Sequence, residues 1–92
     1  MKTALVTGGL GFIGSNLVNI LLKKKIVQRC VLLDSFVSFV NPLKDNFSDL
    51  RKYRFNDNKN IIVERGDAKD FRLIYKILDL YRPNLIFHTA AI

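Results

Sequence analysis

Glycines carry the first chemistry that can be read from this chain. In Thr7-Gly8-Gly9-Leu10-Gly11-Phe12-Ile13-Gly14, Gly9, Gly11 and Gly14 have the spacing G-x-G-x-x-G, and Gly8, Gly11 and Gly14 have the variant G-x-x-G-x-x-G. The short apolar run Ala4-Leu5-Val6 precedes this stretch and an apolar-rich run from Phe12 to Leu22 follows it. That is the order strand, turn, helix that the motif needs. The free N–H groups and the positive dipole end of such a helix suit a phosphate. Gly8 permits the sharp turn, Gly11 has no side chain to hold a pyrophosphate off the backbone, and Gly14 lets the helix pack closely on the strand. The competing reading is a glycine-rich turn with no ligand. The strand and helix on either side favour the phosphate site.

A carboxylate stands at a telling distance from that turn. Asp34 closes the apolar segment Cys30-Val31-Leu32-Leu33, 20 residues after Gly14. At that offset it can accept hydrogen bonds from both hydroxyls of an adenosine ribose, and it would repel a 2′-phosphate. Alone, Asp34 would be an ordinary acidic residue at a strand end; behind the glycine turn the ribose role is favoured. His88 is the sole histidine and Cys30 the sole cysteine, so the residues argue against a metal site and allow no disulfide within the chain. A lone cysteine fits a reducing cytoplasm, and Cys30 is read as a small core residue.

These groups need elements to place them. Lys2 to Thr7 reads as a short apolar strand of the kind buried on both faces. Gly11 to Lys24 reads as a helix with a narrow polar stripe of Ser15, Asn19 and Lys23 and an otherwise apolar surface. Arg29 to Asp34 and Ile61 to Arg65 read as the next two strands. Asp70 is placed to cap a helix from Phe71 to Tyr81, with Phe71, Ile74, Leu78 and Tyr81 as its apolar stripe and Arg72, Lys76 and Asp79 facing water. Pro83 stops it, and Asn84 to Thr89 reads as a fourth strand. Ser35 to Asn60 reads as an irregular excursion with one short helix starting near Pro42. Strands alternating with helices predict an α/β fold, a Rossmann-type parallel sheet of about four strands with helices on both faces. The glycine turn, Asp34, Gly66-Asp67 and the residues from His88 to Ala91 then share the rim at the strands' C-terminal ends, where such folds bind ligands.

Composition narrows the class. With 92 residues, 49% of them apolar, the chain suits one small folded unit. The net charge of +7 raises nucleic acid or an anionic surface as a partner. Lys23-Lys24-Lys25 reads rather as a solvated helix end whose cations complement the dipole. Arg51-Lys52-Tyr53-Arg54 could stack on a nucleobase, though a wet surface helix is the simpler reading. The N-terminal apolar stretch is broken by glycines, Ser15, Asn16 and Asn19 and is followed by lysines, unlike a signal peptide or a membrane span. A cytoplasmic location is expected.

The stretch from Thr7 to Ser15 resembles the TGGxGFIG signature of the extended short-chain dehydrogenases, and within them the NAD-dependent epimerase/dehydratase family. Asp34 is similar to their ribose-binding acid, Gly66-Asp67 to their adenine-side pair, and Arg82-Pro83-Asn84-Leu85-Ile86-Phe87-His88-Thr89-Ala90-Ala91 to their P-D-x-V-x-H-x-A-A strand. Leu10 and Asn16 stand where the signature commonly has Ala and His, and neither removes a backbone feature. The resemblance implies NAD as cofactor. Gly8, Gly11, Phe12, Ile13 and Gly14 would surround its pyrophosphate, and Asp34 with Ser35 would hold the adenosine ribose. Asp67 would accept from the adenine amino group with Ala68 packing on the base, and Thr89, Ala90 and Ala91 would line the side nearer the nicotinamide. It further implies a nucleotide-sugar substrate, no nucleic-acid or membrane partner, and a homodimer for the complete enzyme. The family's Tyr-x-x-x-Lys pair is missing: Tyr53, Tyr75 and Tyr81 are followed four residues on by Asp57, Asp79 and Leu85. The resemblance therefore makes residues 1–92 a partial NAD(P)-binding domain, the first half of the fold, without catalytic residues and without the substrate region. A catalytically silent NAD(P)-binding regulatory module is the alternative, and a small basic nucleic-acid binder using Arg51 to Phe55 a more distant one.

Overall fold

The computed structural model describes residues 1–35 and 58–89. The chain runs β1 (Thr3–Thr7), α1 (Phe12–Lys23), β2 (Arg29–Asp34), β3 (Ile61–Arg65), α2 (Phe71–Tyr81) and β4 (Leu85–His88). The expected short helix near Pro42, the Arg51–Arg54 cluster, and Ala90 and Ala91 lie outside the described residues.

The four strands form one parallel sheet in the order β3-β2-β1-β4. Leu5 pairs with Val31 on one side and Ile86 on the other, and Leu32 pairs with Val63. The sheet therefore extends outward from β1 in both directions. The direction of the crossovers reverses between β1 and β4, and in such sheets ligands bind at the strands' C-terminal ends beside that reversal.

Alternating side chains build a core on each face. Ala4, Val6, Cys30 and Leu32 point to α1 and meet its Val18 and Leu21. Leu5, Val31 and Leu33 point the other way and meet Ile77 of α2, with Leu73, Ile74, Leu78 and Tyr81 around it. Helices thus lie on both faces, as the sequence predicts. All five residues of β1 are buried, which is why its centre, Ala4-Leu5-Val6, is apolar, with a threonine at each end. Burial pushes the Cys30 thiol up to about 11, so it remains protonated near neutrality and packs as a small core residue.

Two helix faces differ from expectation. Ser15 is buried, and its hydroxyl donates to the Phe12 carbonyl at 3.2 Å. That internal bond removes its need for water, so it leaves the polar stripe assigned to it. In α2 the stripe turns by part of a residue spacing: Ile77 is its buried centre and Phe71 is exposed. Phe71, in the first turn, lies outside the cluster in which Leu5, Val31 and Leu33 cover Ile77.

Turns at the helix ends explain the boundaries. Asp70 accepts from the N–H groups of Arg72 and Leu73, fixing the start of α2. Arg82 takes a left-handed conformation (φ 47°) and its N–H closes on the Leu78 carbonyl, ending the helix before Pro83. Lys25 (φ 58°) plays the same part after α1. Neither left-handed residue is a glycine, so the left-handed turns themselves carry no sequence signal, although Pro83 marks where α2 stops.

Candidate functional site

The turn from Thr7 into α1 is built by backbone. Gly8 adopts φ 72°, a conformation that favours glycine, and its N–H donates to the Leu33 carbonyl at 2.7 Å. This bond ties the end of β1 to the end of β2. Gly11 N–H then donates back to the Gly8 carbonyl at 3.0 Å, closing the loop. Gly11 is the N-cap of α1, and no side chain caps the helix. The first N–H groups of a helix have no partner within it, so this end is left open to an anion.

Within this turn, contact is closest at Gly14. A Cβ there would collide with the Gly8 carbonyl oxygen and stand 2.8 Å from Thr89 Oγ1. The glycine therefore lets α1 start directly above the strand end. The flanking side chains Phe12 and Ile13 are 77% and 71% exposed.

Asp34 lies beside this turn, half-buried at the end of β2. Its Oδ2 accepts from the Leu10 N–H at 3.2 Å. That contact joins carboxylate and glycine loop into one unit and holds the carboxylate at the rim. Leu10 itself is fully buried. Ser35 follows on the surface.

The other predicted residues fall on the same rim. Asp67 is exposed after β3, its Oδ1 accepting from the Lys69 N–H at 2.8 Å. Ala68 is half-buried against the α2-side core. On the other side of β1, Thr89 follows β4; its hydroxyl and its N–H both donate to the Thr7 carbonyl, at 2.7 and 3.0 Å. The structure thus places Gly8, Gly11, Phe12, Ile13, Gly14, Asp34, Ser35, Asp67, Ala68 and Thr89 at the C-terminal ends of four neighbouring strands.

Two residues of this rim were given no contact by the sequence. Thr7 Oγ1 lies 2.6 Å from His88 Nδ1, clasping β1 to β4 at their C-terminal ends. Leu10 holds Asp34 through its backbone. A clasp between residues 81 apart has no local sequence signal, and a backbone donor has no side-chain identity to read. Among the described residues no cluster of His, Cys, Asp or Glu could hold a metal ion. No described helix is long and apolar enough to cross a membrane.

A family profile described as GDP-mannose 4,6 dehydratase matches residues 5–92. Among curated proteins, the chain is similar to dTDP-glucose 4,6-dehydratase of Haemophilus influenzae, 32% identical over 93 residues that cover 99% of this chain and 25% of that protein. It is also similar to UDP-glucuronate 4-epimerase 1 of Arabidopsis thaliana, 32% identical over 91 residues covering 97% of this chain and 19% of that protein. Among solved structures, dTDP-glucose 4,6-dehydratase from Bacillus anthracis in complex with NAD superposes with TM-score 0.77 at 25% identity, over 100% of this chain and 27% of that one. The chain spans about a quarter or less of the length of these curated relatives.

Proposed function

This chain belongs to the GDP-mannose 4,6 dehydratase family, and from that premise we propose that residues 1–92 are the NAD-binding part of a Rossmann-type domain in a nucleotide-sugar dehydratase or epimerase. One observation carries the reading: the uncapped start of α1 and the Asp34 carboxylate are held together by the Leu10 N–H. The first suits a pyrophosphate and the second a ribose. Solved relatives with NAD support the choice of dinucleotide.

The residues fit the cofactor. A Cβ at Gly14 would fill the space at the helix start, which glycine keeps open. Phe12, Ile13 and Gly14 would present N–H groups to the pyrophosphate, and Asp34 with Ser35 would take the ribose hydroxyls. Asp67 and Ala68 would receive the adenine, and Thr89 with Ala90 and Ala91 the side nearer the nicotinamide. When bound, NAD supplies reversible hydride acceptance at a sugar carbon. What these residues contribute is binding and orientation; the acid–base work of the family needs a Tyr-x-x-x-Lys pair that is not among these 92 residues. A carboxylate at the ribose selects NAD over NADP, since a 2′-phosphate would meet it with like charge and one fewer donor.

Calorimetric titration with NAD and NADP tests the reading. Preference for NAD by about a hundredfold is expected, a few kcal/mol at ~1.4 kcal/mol per tenfold. Equal affinity for the two cofactors would show that Asp34 is not at the ribose. In parallel, residues 1–92 incubated with NAD and UDP-, dTDP- or GDP-sugars are expected to form no product by chromatography. Turnover above a buffer blank would overturn the assignment of chemistry to residues outside this stretch.

A further inference from the structure

The rim opposite the candidate site carries a different chemistry. In a parallel sheet the chain enters every strand at that rim. Here it does so through Lys2 before β1, Lys23 to Gln28 before β2, Asn58 to Asn60 before β3, and Arg82 to Asn84 before β4. Hydrogen bonds hold these segments side by side. Lys2 N–H donates to Gln28 Oε1 and Gln28 N–H to the Lys2 carbonyl, at 2.8 and 2.9 Å. Cys30 N–H donates to Asn60, and Asn84 N–H to Thr3.

Lys2, Lys23, Lys24, Lys25, Lys59 and Arg82 are all exposed along this rim. Asp79 is 3.7 Å from Arg82, and among the described residues no carboxylate pairs with any of the five lysines. The ligand rim is balanced instead, with Asp34, Asp67 and Asp70 against Arg65, Lys69 and Arg72. A solvated helix end accounts for Lys23 to Lys25. It does not account for Lys2, Lys59 and Arg82, which three other segments bring to the same place.

Two apolar side chains stand among these cations: Met1 is 86% exposed and Ile26 44%. The left-handed turn at Lys25 leads the chain out of α1 and delivers Ile26 to the surface. The exposed Tyr75 lies six residues back along α2, and the aromatic ring at the rim itself is Tyr81. Tyr81 is half-buried, donating to Glu64 Oε1 at 2.7 Å and lying under the Arg29 guanidinium. Lysines with interspersed aliphatic side chains and no stacking platform fit anionic lipid better than nucleic acid.

We propose that this rim docks peripherally on an anionic bilayer, with the candidate cofactor rim turned away from it. The proposal departs from the expectation of no membrane partner, for surface contact only. Co-sedimentation with vesicles of mixed phosphatidylserine and phosphatidylcholine tests it, against vesicles of phosphatidylcholine alone. Binding is expected to the mixed vesicles only, and to weaken with salt. Each cation near such a surface contributes about fivefold in partitioning, so Lys23→Glu with Lys24→Glu and Lys25→Glu lowers it at least about a hundredfold. Lys69→Glu with Arg72→Glu and Lys76→Glu makes the same change in net charge away from the rim, and lowers it by less than about tenfold. Ile26→Ser lowers it about threefold. Should the first variant lose its helical circular dichroism, Lys2→Glu with Lys59→Glu repeats the test outside any helix or strand. No binding to the mixed vesicles at low salt would overturn the proposal. So would equal losses in the two triple variants, which would reduce the effect to net charge. Tighter binding to duplex DNA than to the mixed vesicles would assign the rim to nucleic acid and also overturn it.

Discussion

Two helices begin on the same rim of this sheet, and they begin differently. The start of α2 is closed by its own side chain: Asp70 accepts from Arg72 and Leu73 N–H groups at 3.1 and 3.3 Å. The start of α1 has only Gly11, extended at φ −70° and ψ 174°, with no side chain over the N–H groups. Both ends carry the same dipole. What separates a capped helix from an anion site is whether the chain has already spent a carboxylate on it. The contrast extends to packing. Gly14 in the first turn of α1 admits the strand end to contact, while Phe71 in the first turn of α2 stands in water.

Breaking the close contact should have the largest effect. Gly14→Val puts a branched side chain against the Gly8 carbonyl and Thr89. It is expected to cost about 3 kcal/mol of stability by overpacking and to abolish NAD binding, read by denaturant unfolding and calorimetry. Gly11→Asp sharpens the comparison by giving α1 the cap that α2 has. The fold should change by only a few tenths of a kcal/mol, since glycine and aspartate are both accepted at an N-cap, while NAD affinity falls about a hundredfold. Unchanged affinity in that variant would mean the α1 start is not the phosphate site.

Asp34→Ala acts next in size. It should narrow the preference for NAD over NADP chiefly by weakening NAD, and Asp34→Ala with Ser35→Arg should reverse it, as measured by titration of both cofactors. The smallest effect belongs to the helix that is already closed. Asp70→Ala should cost about 1 kcal/mol, or about 5 °C in Tm for a domain of this size, and leave NAD affinity unaltered.

The comparison also shows what could be read in advance. The bounds of β2, β3 and α2 followed from apolar runs ended by Asp34, Arg65, Asp70 and Pro83, because each of those ends carries a local physical cause. The candidate site rests on glycine spacing and one carboxylate offset, because both are properties of a strand–turn–helix unit read along the chain. What escaped were relations across the chain. Leu10 N–H reaching Asp34, and Thr7 meeting His88, depend on which strands become neighbours. Ser15 looked polar because a hydroxyl does, and it is buried because its own helix satisfies it. The basic rim escaped for the same reason, since Lys2, Lys59 and Arg82 are scattered until the sheet gathers their turns.

The exposed apolar edge belongs to this account as well. Leu85 and Ile86 of β4 are exposed, Ile86 to 58%, on an edge strand with no charge, proline or bulge to guard it. Such edges invite pairing with another strand. Residues 1–92 alone are accordingly expected to self-associate, which sedimentation would show; a sharp monomer boundary with cooperative unfolding would contradict that.

The central claim is that α1, and not α2, offers its start to the cofactor's phosphates. Backbone amide shifts followed by nuclear magnetic resonance during NAD titration test it most directly. The account predicts large shifts at Gly11, Phe12, Ile13 and Gly14, with Arg72 and Leu73 at the start of α2 scarcely moving. Shifts concentrated at the start of α2, or saturable NAD binding that leaves the α1 amides unmoved, would contradict it.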